Sequence, residues 1–300
     1  MASSDSELNR GSTTAYSTLV QSEILDNITS SRYGVSWSHS EMVIYPNIIC
    51  YFGNDKLVVF DRDGQNVALY ENFCDVQRRS MSIRSLSTFI PVDSCSTALD
   101  GNRFVVVSSP NKSFLTIFSS ENPGELKEDG KLNVKGGCHG LDFIDGKLYV
   151  CFKDPPKISI LDMNTGFIHN IENEPKGNQL FTAPSHIAVD ICSNKEVIYV
   201  SDEASWGLRR LTKIDTQGNI LSSFLSLTAE EPKQVMAVGD GSVLFVLDGI
   251  RLMSERCQEV VKLLDETHAG SFTCMCYSKQ RHMLFLRLDN TTQIVVYKLT

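Results

Sequence analysis

Short apolar runs separated by turn-forming residues recur along most of this chain. Within residues 185–220, the runs 187–189 and 197–200 are apolar, rich in β-branched side chains and bounded by polar residues. Runs this short are typical of strands, because a helix needs roughly ten or more residues with a 3.6-residue period. The run "LTKID" then alternates, and Gly218 supplies a hairpin turn before "NILSSFLS". The segment predicts four antiparallel strands joined by short turns.

The same order of strands recurs in other segments. Residues 139–171 repeat it completely, and residues 47–71 carry the second, third and fourth strands with a turn at Asp63-Gly64, although the residues before them allow a second parsing. Second strands are predicted to begin near Ile49, Phe104, Leu148, Val197, Val243 and Met283. These intervals of roughly 40 to 55 residues are typical of propeller blades. The chain is therefore predicted to be all-β, a six-bladed β-propeller of four-stranded antiparallel blades.

The last copy ends after its third predicted strand, "QIVVYKLT", which leaves an unpaired edge. An N-terminal strand, residues 17–25, could fill that place and close the ring, since closure is how propellers limit their edges. The alternative is a flexible N-terminal segment. We expect residues 1–15 to be a disordered tail and residues 16–300 to form the propeller.

Composition fits a folded, soluble chain. The 300 residues are 42% hydrophobic, enough to bury a large core, and no apolar run has the length of a membrane span or the form of a secretory signal. The nine cysteines are scattered, and several sit inside apolar runs. That pattern favours buried thiols in a reducing compartment, so we expect a cytoplasmic protein.

The net charge of −8 argues against attraction of the whole surface to nucleic acid or acidic membranes. No membrane partner is predicted. A local basic patch stays possible.

The phrases "HIAVDICSNKEVIYVSDE" and "LTKIDTQGNI" resemble the NHL repeat, in which a strand ending in Ala-Val-Asp leads to an "IYVSD" strand and an Asp-x-x-Gly turn. Taken whole, the chain is similar to the C-terminal propeller of invertebrate tripartite-motif proteins. That family adds a zinc-binding RING with ubiquitin-ligase activity, but no Cys-x-x-Cys pair occurs here, and Cys274 and Cys276 lie in an alternating strand pattern. The resemblance therefore implies a propeller without ligase activity.

Long loops that join a fourth strand to the next first strand, or a second to a third, share one face of a propeller. On that face we predict a group of cationic and aromatic partner-binding residues: Arg78, Arg79, Arg84, Lys153, Lys157, Trp206, Arg209 and Arg210. Arginine and aromatic side chains on loops are enriched at binding hot spots. The alternative is a charge-balanced solvated surface, since Asp75, Asp154, Asp202 and Glu203 lie in the same loops. Asp63-Gly64, Asp145-Gly146 and similar turns are expected on the opposite face, where turn geometry explains them.

Alignment of the predicted first strands gives the residues expected to line the central channel: Tyr33, Thr88, His139, His186, Gln234 and Phe272. None is a carboxylate, whereas calcium-dependent six-bladed hydrolases need oxygen ligands at the channel. His139 and His186 fall at equivalent sites and could approach each other, but a catalytic zinc wants three protein ligands. Hydrogen-bonded histidines are the favoured interpretation, with no metal or cofactor. No familiar nucleophile motif occurs either.

The sequence therefore predicts a non-enzymatic module that binds a protein partner through its loop-rich face. Single-stranded RNA binding on the same face is one alternative, and a lactonase- or esterase-like hydrolase with an atypical channel site is another. No small-molecule substrate is evident.

Overall fold

The computed structural model describes residues 46–53, 55–61, 66–75, 77–88, 90, 94–109, 111–203, 209–226, 233–255, 260–264, 272–288 and 294–298. Every regular element in these ranges is a β-strand, and no helix long and apolar enough to cross a membrane lies among them. The all-β prediction is confirmed.

The strands follow one another without interruption by other regular elements. The first three blades contain β1 (Pro46–Phe52), β2 (Lys56–Asp61), β3 (Asn66–Glu71), β4 (Ser80–Ser85), β5 (Ser96–Ala98), β6 (Arg103–Ser108), β7 (Phe114–Ser119), β8 (Lys127–Asn133), β9 (Cys138–Ile144), β10 (Lys147–Lys153), β11 (Pro156–Asp162) and β12 (Ile168–Ile171). The other three contain β13 (Pro184–Cys192), β14 (Lys195–Glu203), β15 (Arg209–Asp215), β16 (Ile220–Ser226), β17 (Lys233–Ala237), β18 (Val243–Val246), β19 (Ile250–Met253), β20 (Val260–Leu264), β21 (Phe272–Ser278), β22 (Met283–Leu288) and β23 (Ile294–Lys298).

Six antiparallel sheets form the blades of a propeller. Five have four strands in simple sequential order, and the described part of the sixth has three, β21-β22-β23. The first strands β1, β5, β9, β13, β17 and β21 each contact the next around the centre, and β21 contacts β1. The innermost layer of the described residues therefore closes into a ring, which confirms the six-bladed prediction.

The hydrophobic core is divided into one cluster between each pair of neighbouring blades. Between the first two blades, for example, Phe60 of β2 meets Phe104 and Phe118, whose stacked rings lie 5.4 Å apart. Each such buried ring contributes about 1.5–3 kcal/mol of hydrophobic stabilisation. Inner strands are buried on both faces because a blade packs against two neighbours, whereas outer strands such as β4 are mostly exposed.

The described cysteines lie within this core or pack against it. Cys50, Cys138, Cys151, Cys274 and Cys276 are buried, and all the described cysteines are free thiols. Burial raises the pKa of the Cys274 thiol to about 12, which keeps it protonated and unreactive. Five of the described thiols are therefore core residues, and the other three are partly buried beside the core.

A register shift near the start of the first strand recurs in five blades. In β1, β9, β13, β17 and β21 the pairing with the second strand skips after the first pair of residues. Such a bulge bends the strand and redirects a side chain. The shared bulge therefore places one displaced residue where each of these strands enters the ring.

The first blade differs from the predicted assignment by one strand. Ile49 was predicted at the start of a second strand but lies in the innermost strand β1. Asp63 and Gly64 therefore fall between β2 and β3 in the chain, and not between a third strand and a fourth. The cause is burial: β1 is as apolar as β2, so the apolar pattern does not tell a first strand from a second. The other five predicted second strands match β6, β10, β14, β18 and β22.

Residues 1–45 lie outside the described residues, and so do the predicted closing strand at 17–25, the tail and Tyr33. The closing strand and the tail stay predictions.

Candidate binding face and central channel

The chain direction defines two faces of the ring. We call "top" the face where fourth strands connect to the next first strand and second strands connect to third strands, and "bottom" the other face. Because consecutive strands are antiparallel, these two kinds of connection share one end of the ring. The described top connections include residues 109, 111–113, 134–137, 154–155, 172–183 and 247–249.

Arg78 and Arg79 lie on the bottom face, contrary to the prediction. Residues 72–79 join β3 to β4, the third and fourth strands of the first blade. The reason is that the strands of the first blade were predicted one position too late. This error exchanges the loops of the top face with those of the bottom face. Arg79 donates its Nε to Phe73 O at 2.7 Å and lies 4.6 Å over the Phe73 ring, so it holds its own loop.

Arg78 pairs with Asp75 at 3.7 Å with 82% of its side chain exposed, which adds little stability. Arg84 lies in the outermost strand β4 and donates from Nη2 to Gly124 O at 3.1 Å, which links the first and second blades. Neither residue joins Lys153 and Lys157 on the top face.

Arg210 is committed to a buried carboxylate. Its Nε and Nη2 donate to Asp202 Oδ2 at 3.0 and 2.7 Å, and Nη2 also donates to Leu180 O at 2.6 Å. Asp202 is fully buried and accepts Ala183 N at 2.7 Å as well. The pair therefore fixes the long connection 172–183 to the fourth blade, which is a structural role.

Arg209 forms an ion pair with Glu203 at 3.1 Å, next to the Arg210 pair. Trp206 lies outside the described residues. The described part of the predicted "DEASWGLRR" hot spot is thus charge-balanced, as the alternative interpretation expected.

A group of lysines on the top face carries net positive charge, and we call Lys112, Lys135, Lys153 and Lys157 the lysine sector. Lys112 lies between β6 and β7, Lys135 in the link 134–137, and the other two flank residues 154–155. Two main-chain hydrogen bonds tie the link to the first loop, from Cys138 N to Lys112 O at 2.9 Å and from Val134 N to Ser113 O at 2.9 Å. Lys153 and Lys157 were predicted from the sequence, whereas Lys112 and Lys135 were not, because no motif marks them.

His139 occupies the bulge of β9, between Cys138 and Gly140 where the register shifts. Burial, together with the positive charges of Lys112 and Lys153, lowers the pKa of His139 to about 4. The imidazole is therefore neutral near pH 7, and its surroundings are electropositive.

His186 is not equivalent to His139. In β13 the bulge position is Ser185, and His186 is the next residue, which pairs with Ser201. Its Nδ1 lies 3.1 Å from Ser185 Oγ and 3.3 Å from Ser201 Oγ, so the ring is hydrogen bonded within its own blade. The predicted alignment was one residue out because a bulge adds a residue that strand counting cannot see.

Thr88 does not lie on a first strand. The first strand of the second blade is β5, and Thr88 lies in the connection before it, buried and donating to Glu128 Oε2 of the outermost strand β8. Gln234 lies in β17 with a φ of 51°. Phe272 begins β21, and its side chain lies outside the described part of the structure.

The channel itself is a cavity of about 500 Å³ lined by first strands and the turns that follow them. Asp142 of β9 is part of this lining, which corrects the expectation of a channel without carboxylates. It accepts hydrogen bonds from Val189 N at 2.7 Å, Phe143 N at 2.8 Å and Thr97 Oγ1 at 3.3 Å. Burial raises the pKa of Asp142, while the nearby Lys279 opposes that rise. The one sequence signal was a carboxylate inside the apolar run "GLDFI".

Comparisons with known proteins support the fold alone. No family model matches the chain, and no curated protein matches it. Among solved structures, the chain is similar to the WD40 β-propeller domain of Doa1, with 10% identity and a TM-score of 0.57 over 87% of this chain and 95% of that one. It is also similar to virginiamycin B lyase from Staphylococcus aureus, with 14% identity and a TM-score of 0.53 over 87% and 86%.

A protein of unknown function from Desulfotomaculum acetoxidans DSM 771 is a third similar structure, with 13% identity and a TM-score of 0.52 over 81% of this chain and 74% of that one. One neighbour is thus a WD40 domain and another a lyase, so fold likeness does not choose between binding and catalysis. The resemblance to NHL repeats and tripartite-motif propellers stays a prediction.

Proposed function

We propose that this chain is a non-enzymatic module that binds a protein partner through its top face. The observation that supports this most strongly is the lysine sector, in which three separate chain segments bring Lys112, Lys135 and Lys153 together on the top face. Loops held on a rigid scaffold are the usual carriers of binding residues, and propeller loops present such a surface.

The channel geometry favours a structural role for Asp142 over a catalytic one. Its carboxylate oxygens accept hydrogen bonds from the second, third and fourth blades, through Thr97, Phe143 and Val189. A general base or a calcium ligand needs lone pairs that face a substrate or an ion. The hypothesis of a hydrolase is therefore less well supported than that of a binding module.

Single-stranded RNA is the second candidate for the same face, because lysines also contact phosphates. The net charge of −8 opposes the binding of an extended polyanion. The cations of the sector are also lysines, whereas arginines are better suited to bidentate contacts with phosphates. The free buried thiols further lead us to infer a cytoplasmic location, and the NHL-like repeats support a relation to tripartite-motif propellers.

Site-specific photo-crosslinking tests this proposal. A photoreactive residue replaces Asn111, exposed on the top face, or Asn194, exposed in a bottom turn, and each protein is irradiated in native cell extract with and without nuclease. We expect protein adducts at position 111 that survive nuclease, and few at position 194. Adducts that vanish with nuclease would favour RNA, and adducts confined to position 194 would show that the top face is the wrong surface.

A further inference from the structure

The link between the second and third blades passes between two lysine-bearing loops. A Cβ added at Gly136 would lie 3.1 Å from the Phe152 ring and 3.4 Å from Asp154 O, and one at Gly137 would lie 3.5 Å from Asn111 O. Gly136 also has a φ of 132°, which side-chain-bearing residues rarely adopt. The link is therefore packed against both loops, and it holds Lys112 on one side and Lys153 on the other.

Charge in this region is unbalanced. Lys157 lies 5.3 Å over the Phe152 ring, and Lys135 is exposed on the link. Asp154 is the acidic residue within the two loops and the link, and Glu172 and Glu174 begin the next top connection. Four cations therefore share a small surface with one carboxylate, and acidic residues follow it around the ring.

We propose that the lysine sector binds an acidic segment of a protein partner, with Asp or Glu carboxylates placed between Lys112 and Lys153 above the link. This inference rests on the proposed function, because it names the chemistry of the partner at the same face. Complementary charge speeds association and fixes the orientation of the partner.

The size of the patch favours a short acidic segment over a nucleic acid. Fields of exposed charges fade within about 8–10 Å at physiological salt, so a short segment senses the four lysines and little else. A longer polyanion would cross Glu172 and Glu174. Single-stranded nucleic acids also need several aromatic rings for base stacking. In the described sector the exposed ring is Phe114, at 36% exposure.

Fluorescence anisotropy with defined probes tests the inference. The probes are a labelled peptide of eight glutamates, a peptide of eight glutamines and an eight-nucleotide oligouridine, each titrated with the intact chain. We expect the glutamate peptide to bind and its affinity to fall with salt, while the glutamine peptide stays unbound. The double variant K112E/K153E should weaken glutamate binding by about tenfold or more, since exposed charge pairs are individually weak but reversal turns attraction into repulsion.

The matched control is K195E/K298E, which changes the net charge equally at two exposed lysines outside the sector. If K112E/K153E fails to fold by circular dichroism, K112Q/K153Q replaces it, with a smaller loss expected. Equal losses in the sector and control variants would overturn the inference, and so would oligouridine binding without glutamate binding. Absence of glutamate binding alongside nuclease-resistant adducts at position 111 would reject the acidic segment and leave the proposed function standing.

Discussion

Lys279 reaches from the sixth blade to the fourth, where its Nζ lies 3.4 Å from Asp190 Oδ1 and 3.3 Å from Val189 O. Lys279 follows β21, whereas Asp190 is a buried residue of β13 that also accepts Gly241 N at 2.9 Å. The ion pair therefore ties together the first-strand regions of the fourth and sixth blades, which the fifth blade separates. We therefore expect this ion pair to stabilise the ring.

Replacing Lys279 with methionine should lower the free energy of unfolding by about 1–2 kcal/mol. Asp190 is buried and loses its charged partner, but Lys279 is partly exposed, so solvent screens the loss. Urea denaturation of the variant measures the change. Lys195→Met, in an exposed bottom turn, is the control and should stay within about 0.5 kcal/mol of the wild type. Equal stabilities of the two variants would show that the ion pair between Lys279 and Asp190 does not stabilise the ring.

Ionisation of Asp142 should lower the free energy of unfolding as the pH rises, and Asp142→Asn should remove this effect. Burial raises the folded-state pKa of Asp142 above the unfolded value of about 3.9. The folded state then binds the proton more readily, so this contribution is fully present below the unfolded pKa and is lost as pH rises through the folded pKa.

The stability of Asp142→Asn relative to wild type should therefore increase as pH rises from about 3 to 7, because the asparagine cannot ionise. Denaturation of both proteins across this range measures the difference, which cancels the contributions of other carboxyl groups. A difference that is flat with pH, or that falls, would contradict the raised pKa.

Arg210→Ala should destabilise the chain far more than Arg209→Ala. Without Arg210 the buried Asp202 keeps only main-chain donors, and breaking a buried pair in this way costs about 3 kcal/mol. Arg209 pairs with the partly exposed Glu203, so its loss should cost about 1 kcal/mol or less. Thermal melts compare the two variants directly. Similar melting temperatures would mean that Asp202 is not held as described.

Deleting residues 17–25 should destabilise the ring more than deleting residues 1–14. In the described part of the sixth blade, β23 is the outermost of three strands, where the other blades have four. A strand added there would bury the edge that β23 presents. Differential scanning calorimetry of the two truncations measures the effect. If both melt like the intact chain, the N-terminal region supplies no closing strand.

The fold could be predicted from the sequence because its repeat is periodic. Strands such as β10 and β14 pair a buried apolar run with a following turn, and five second strands were found at their true positions. The first blade was misassigned because an innermost strand, packed on both faces, has the same apolar pattern as a second strand. That one-strand error moved Arg78 and Arg79 to the wrong face.

The candidate site was harder to predict because it depends on contacts between blades. The partners of Arg210 include Leu180 O, thirty residues earlier in the chain, and no local pattern reveals that bond. Lys112 and Lys135 carry no motif, and they join Lys153 only when the link 134–137 packs between the two loops. Bulges also shift side chains by one position, which separated His139 from His186.

The imidazole of His139 reports the electrostatic field of the lysine sector. Burial holds its pKa at about 4, and Lys112 and Lys153 contribute to that low value, whereas an ordinary histidine has a pKa of 6.5. Lys153→Met should therefore raise the pKa of His139, without restoring the ordinary value because the burial remains. Two-dimensional NMR titration of the histidine ring measures it.

Lys195→Met on the bottom face is the matched control and should leave the pKa of His139 unchanged, since salt screens a charge at that distance. A glutamate peptide bound in the lysine sector should raise the pKa of His139 in the wild type, because nearby carboxylates stabilise the imidazolium. If Lys153→Met leaves the titration curve where it was, Lys153 does not lie close enough to His139 to change its pKa, and the geometry of the sector would have to be revised.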